Sequence, residues 1–241
     1  MAKALRPLIA ANWKMNGSPD WVDKPLEFDA LFPQGQRKSL DVLICPPALY
    51  LQRLSDTTRQ AGMYLGAQDC HKAASGAHTG CLSAEMLMSA GADYVIVGHS
   101  ECRAAGDTNK SVKAKASAAK RAGLIPIICV GETEAQRDKG DALKVVKTQI
   151  KGSLPTLADY VIAYEPVWAI GTGKVPTLKD IAEIHDAIRA QVGDGVRILY
   201  GGSVKPTNAK DILAIENVNG ALIGGAGLEM KSLSEIARLA V

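Results

Sequence analysis

Four residues of different chemistry each stand just past a short apolar run: an amide at Asn12, an ammonium at Lys14, an imidazole at His99 and a carboxylate at Glu165. A carboxylate and an imidazole can move protons, and an ammonium can hold an anion or a developing oxyanion. Glu165 is the most informative of the four. Residues 160–164 have strand composition and deliver it at their end, and Pro166, with no N–H to give a central strand, stops the run at once. Residues 167–170 are apolar, and Gly171-Thr172-Gly173-Lys174 closes the stretch. An acid at a strand tip beneath an apolar flap with glycines at its end suits a base that works under a lid, because an oily cover excludes water and its hinge must absorb backbone rotation. Taken singly, each residue has a plain alternative: a solvated glutamate, a surface lysine or a hydrogen-bonded structural histidine.

The elements that must position these groups alternate along the chain. Strands are expected at 8–11, 41–45, 63–67, 94–97, 125–130, 160–164, 196–200 and 221–223, and helices at 83–90, 110–122, 141–151, 177–191, 208–215 and 232–241. Thr177 and Asp180 form a capping-box pattern, and Gly91 and Gly123 stand at expected helix C-caps. Segment 16–36, with Pro19, Pro25 and Pro33, reads poorly as a regular first helix. Strand–helix alternation repeated about eight times implies an α/β chain with a parallel sheet, and eight units closed on themselves give a (β/α)8 barrel. A doubly wound open sheet is the structural rival, but its G-x-G-x-x-G fingerprint is absent after the first strand, which runs into Asn12-Trp13-Lys14. No Gly, Ser or Pro-rich linker divides the chain, so residues 1–241 are expected to form a single catalytic domain.

Composition narrows the function classes. With 47% hydrophobic and 22% charged residues among 241, the chain can build a large core and is not expected to be disordered. A net charge of +3, scattered rather than blocked, argues against nucleic acid or a membrane surface as the main partner. No apolar run approaches the ~20 residues of a spanning helix. The opening run is too brief for a secretory signal. The five cysteines are an odd set without a C-x-x-C pair, which gives little support to a metal or disulfide framework and points to a reducing cytoplasm.

In such a barrel the residues that follow each strand share one face. Read in order, they are Asn12 and Lys14, then His99, then Glu165, then Gly201-Gly202-Ser203, then Gly224-Gly225. Glycine turns let backbone N–H groups approach a phosphate closely, and barrels often place that site after strands seven and eight. Ser203, Gly224 and Gly225 fall there, and Gly171 can add an N–H from the flap.

At this point whole segments resemble triosephosphate isomerases: ANWKMNG, VIVGHSE, CVGET, AYEPVWAIGTGK, YGGSVKP and GALIGGAGL, in that order, across essentially the whole chain. The resemblance implies a TIM barrel that interconverts dihydroxyacetone phosphate and glyceraldehyde 3-phosphate in glycolysis and gluconeogenesis, with no cofactor and no metal. It implies Glu165 as the base, His99 as a neutral imidazole polarising the carbonyl, Lys14 as positive charge for the phosphate and enediolate, and Asn12 as the residue that positions Lys14 and binds the substrate oxygen. It also implies a homodimer, because residues 75–84 are similar to a loop that enters the neighbouring subunit, with Thr79 at the contact. The rivals are another phosphosugar barrel with different chemistry and a non-catalytic binding scaffold.

The chain departs from the family pattern at a few positions. Cys81 and Cys102 stand where an acidic residue and an arginine are common and pair across the interface. Losing both charges together avoids stranding one of them, and the two thiols either pack reduced or form an intersubunit disulfide. Gly227 replaces a serine, and Asn219 an aspartate. Cys129, near the glutamate, is expected to be buried and structural.

Overall fold

The eight apolar runs are strands, each buried on both faces. In the computed structural model, which describes residues 5–156, 159–170, 174 and 176–241, they are β1 (Leu8–Asn12), β2 (Asp41–Cys45), β3 (Tyr64–Ala67), β4 (Tyr94–Val97), β5 (Ile125–Val130), β6 (Val161–Tyr164), β7 (Arg197–Tyr200) and β8 (Gly220–Ile223). All pair in parallel and in chain order, and β8 returns to β1 to close a barrel. Alternation within each strand divides the core in two. Leu8, Ala10, Leu43, Ile96, Cys129 and Leu199 fill the barrel interior, while their neighbours Ile9, Ala11, Ile44, Val97, Val130 and Ile198 pack under the helices. The closing seam requires a glycine: at Gly220, with φ +132°, a Cβ would lie 1.9 Å from the Leu8 carbonyl oxygen. Below the packed interior, Arg197 reaches across the barrel's lower end to Asp41 at 2.7 Å and donates to the Tyr94 hydroxyl at 2.7 Å.

Ten α-helices are described: α1 (Lys24–Leu31), α2 (Leu51–Gln60), α3 (Ala84–Ser89), α4 (Ser100–Ala104), α5 (Asn109–Ala122), α6 (Glu134–Asp138), α7 (Ala142–Ser153), α8 (Leu178–Val192), α9 (Ala209–Leu213) and α10 (Met230–Arg238). The Thr177–Asp180 capping box opens α8 as expected. Gly123 caps α5 in the left-handed region, whereas α3 ends on Ala90, one residue before Gly91. Segment 16–36 is more regular than its prolines suggest. Pro25 occupies the first turn of α1, where no helical N–H bond is needed, and Phe28 anchors the helix in the core. The buried Arg37 then donates to the carbonyls of Phe32, Ala61 and Gly62 and to Asp29. Two further helices, α2 and α6, are absent from the sequence reading: α6 is a single turn, and the apolar residues of α2 are only Leu51 and Leu54.

His185 of α8 is fully buried between the Tyr164 and Tyr200 rings, with Nδ1 3.1 Å from the Asn217 carbonyl and Nε2 without a partner among the described residues. Burial lowers its pKa from 6.5 to about 4. Between those values the unfolded chain binds a proton that the folded chain refuses, so stability falls as pH drops through the window. At ~1.4 kcal/mol per unit the full loss is about 3.5 kcal/mol. Thermal melts from pH 7 to pH 4 are expected to show a steeper fall for the wild type than for His185→Phe.

Candidate active site

Strands β4 and β6 are not neighbours in the sheet, yet the barrel brings their ends together. Glu165 leaves β6 with its N–H on the Val130 carbonyl at 2.8 Å, and the Gly201 N–H holds the Tyr164 carbonyl at 2.7 Å. Gly201 leaves room for the carboxylate stem: a Cβ there would sit 2.8 Å from Glu165 Cγ. Glu165 is 2% exposed and His99 5%. Glu165 Oε2 accepts the Ser100 N–H at 2.9 Å, and Oε1 lies 3.0 Å from His99 Nε2. His99 is the N-cap of α4, and its Nδ1 accepts the Glu101 N–H at 3.2 Å. While that bond holds, the ring proton belongs on Nε2, facing Glu165.

Burial pushes the His99 pKa down, but the charge and hydrogen bond of Glu165, with a smaller contribution from Glu101, outweigh it and leave it raised. The cause is the direct contact with a carboxylate 3.0 Å away, which a ligand parting the two groups would remove.

Asn12 and Lys14 meet the same rim from β1. Lys14 has φ +51°, a left-handed conformation unusual for a residue with a Cβ. Asn12 Oδ1 accepts the Lys14 N–H at 3.0 Å, and Gln68 Nε2 donates to the Lys14 carbonyl at 2.8 Å and to that of Cys45 at 2.9 Å. The strained turn is therefore tied on both sides. Lys14 Nζ lies 2.5 Å from Glu101 Oε1, whose partner oxygen is 3.7 Å from His99 Nδ1. Gln68 and Glu101 were missed as site residues. The signal in both cases was position: Glu101 stands in the GHSE turn, and Gln68 directly follows the third strand on the face that the strand ends share.

Asn12, Lys14, His99 and Glu165 line a cleft of about 380 Å³ with Ile170, Ser203, Gly224 and Gly225. The amides of Ser203 and Gly225 donate to no protein acceptor among the described residues. Gly171 lies outside the described residues. Beneath the flap, Glu132 Oε1 receives the Trp168 indole N–H at 2.9 Å and the Tyr164 hydroxyl at 3.1 Å. Gly227 packs against β1, where a serine Cβ would approach that of Ala11 to 2.8 Å. Asn219 Oδ1 accepts from Arg189 and from the Ile198 N–H, bonds that a neutral oxygen can make.

The remaining residues stand apart. Thr79 and Cys81 are on a wholly exposed stretch, 74–82, and among the described residues the Thr79 side chain has no hydrogen-bond partner. Cys102 on α4 is half-buried, and burial lifts its thiol to about 11. It lies near Asp69 and Asp107, but the Lys115 ammonium already bridges those carboxylates at 2.7 and 2.8 Å. Cys129 is buried inside the barrel, its thiol pushed up by burial and by Glu165.

Comparison with known proteins gives one answer. The family model described as triosephosphate isomerase matches residues 7–240. The chain is 50% identical to the triosephosphate isomerase of Bradyrhizobium diazoefficiens, covering 99% of each chain, and 51% identical to that of Afipia carboxidovorans, covering 98% of each. The crystal structure of the enzyme from Bartonella henselae superposes with a TM-score of 0.89 at 42% identity, covering 98% of this chain and 99% of that one. With an eight-stranded closed barrel and this cleft at its rim, the chain belongs to the triosephosphate isomerase family.

Proposed function

We propose that this chain interconverts dihydroxyacetone phosphate and D-glyceraldehyde 3-phosphate through an enediolate, as a step of glycolysis and gluconeogenesis. The observation that carries the reading is the buried Glu165–His99 pair at 3.0 Å on the wall of a cleft that also holds Lys14. The division of labour is the one for which this family is a standard illustration. Glu165 leaves His99 and the Ser100 N–H to take a proton from the carbon beside the carbonyl. His99 donates its Nε2 proton to the carbonyl oxygen, then recovers a proton from the adjacent hydroxyl, and Glu165 returns its proton to the neighbouring carbon. Lys14 leaves Glu101 to stabilise the oxyanion and the phosphate, while Asn12 fixes the Lys14 turn and binds the substrate oxygen. Amides of Ser203, Gly224, Gly225 and Gly171 hold the phosphate. No step calls for a cofactor or a metal.

The reading extends to assembly and place. The exposed stretch 74–82 is tied to His71, whose ring lies 4.0 Å from that of His78 and whose N–H donates to the Leu82 carbonyl at 2.7 Å, and Met15 beside Lys14 is 97% exposed. Both suit a homodimer in which Thr79 enters the partner's site and Cys81 and Cys102 face the interface as reduced thiols. A single catalytic domain in the cytoplasm, with triose phosphates rather than nucleic acid or membrane as partners, completes it. Among the described residues no helix is long and apolar enough to cross a membrane.

The deciding assay follows conversion of glyceraldehyde 3-phosphate in EDTA. Fast turnover that falls about a hundred- to ten-thousand-fold in Glu165→Gln is expected; a folded wild-type dimer without turnover overturns the reading. In the ligand-free protein, the same substitution removes the charge that raises His99, so its NMR titration is expected to move to lower pH. Gly201→Ala crowds the Glu165 stem and is expected to lower kcat by up to about a hundredfold with a smaller change in KM. On a non-reducing gel, the protein after mild oxidation is expected to run as monomer; a dimer band lost in Cys81→Ser would instead place a disulfide at the interface.

A further inference from the structure

The short helix α6, which no part of the mechanism uses, makes contacts on both sides of the flap. Its Arg137 donates from Nη1 to Glu132 Oε1 at 3.1 Å, joining the Trp168 indole and the Tyr164 hydroxyl on the same atom. Glu132 has no exposed surface, so it depends on that guanidinium for its countercharge. The Arg137 guanidinium carbon also lies 5.2 Å from the Trp168 ring centroid. Its other nitrogen, Nη2, reaches Asp180 Oδ1 at 2.6 Å. Asp180 Oδ2 in turn accepts the Thr177 N–H at 3.1 Å and its hydroxyl at 2.7 Å, which fixes the residue entering α8. One planar group thus grips Trp168, before the glycines of the flap, and the cap at Thr177, after them. Glu134 of the same helix pairs with Lys174, adding a second tie to the later flank.

We propose that Arg137 is a positioning residue that couples the two flanks of the flap, so that isomerisation without loss of phosphate depends on both being held at once. The proposal rests on the isomerase reading above. The chemistry at stake is a competing fate of the intermediate. In the enediolate, the oxygen's electron pair forms a C=O bond, the C=C bond shifts by one carbon, and the C–O bond to phosphate breaks. Phosphate departs with that electron pair and leaves an enol that tautomerises to 2-oxopropanal. The route needs the breaking C–O bond to stand out of the plane of the intermediate and overlap its π system, so a phosphate kept in that plane resists it.

Arginine suits the task because its fork serves two carboxylates in fixed geometry, whereas a lysine ammonium is a single point charge. Arg137→Met strands Glu132 as a buried, unpaired charge and is expected to damage the fold itself. The informative variants are therefore Arg137→Lys, which keeps a charge for Glu132, and Asp180→Asn, which keeps an oxygen for Thr177 and frees the later flank. Both, and their combination, are assayed for kcat and KM with glyceraldehyde 3-phosphate, and for the ratio of 2-oxopropanal to isomerised product. Each single variant is expected to lose on the order of tenfold in kcat, with a smaller change in KM, and to raise that ratio several-fold. The double variant is expected to be little worse than either single one, because both cut the same link. A merely structural Arg137 lowers the melting temperature and leaves the product ratio unchanged, which overturns the proposal; additive effects overturn the coupling. A wild-type protein without isomerase activity fails the functional reading instead, so the two failures are distinguishable.

Discussion

Two buried ionisable groups that need each other organise the upper face of this protein. Neither Glu165 nor His99 retains appreciable contact with water, and removing a charge from water is costly unless a partner stands ready. Here the partner is the other group, 3.0 Å away, with the Ser100 amide completing the carboxylate's contacts. That single contact sets three requirements: β4 and β6 must end at the same height, α4 must begin at His99, and Gly201 must carry no side chain. It also ties chemistry to conformation, because the proposed base has to give up stabilising contacts before it can act. A ligand that separates the pair changes the proton affinity of both groups together.

Much of this was legible in the sequence because it is written in local signals. Aliphatic runs of about five residues gave strands β2, β4 and β5 their observed limits, since strands buried on both faces carry no polar interruption. The Thr177–Asp180 box was visible because capping acts over three residues. Less legible were features in which a distant element overrides local preference. The helix at 24–31 forms despite Pro25 because Phe28 is buried against the rest of the core. Gln68 supports Lys14 only because β3 lies two strands from β1, a relation that no spacing in the sequence records. The contact that raises the His99 pKa is hidden from the sequence for the same reason. His99 could be placed at a strand end, but the carboxylate facing it comes from two strands further along the chain.

The rim of the barrel also shows how a rigid scaffold can carry strained or movable parts. The Lys14 turn, unfavourable by about 1–3 kcal/mol, is held by an amide on one side and a glutamine on the other. The start of the flap is held by a carboxylate with no exposed surface. In both places the restraint comes from side-chain hydrogen bonds to a neighbouring strand end or loop, so the strands themselves remain regular.

The closing seam has a consequence for how the molecule comes into being. β1, which leads into the lysine turn, hydrogen-bonds to β2 on one side and to β8 on the other, pairing Leu8 with Gly220 across nearly the whole length of the chain. During synthesis, the first strand to leave the ribosome therefore waits for the last before its second edge is covered. Such long-range closure is slow, because the ordering of the entire loop precedes the reward of the contact. Until then an apolar strand with one open edge, the kind of surface on which nascent chains pair wrongly, is exposed to whatever else is in the cell.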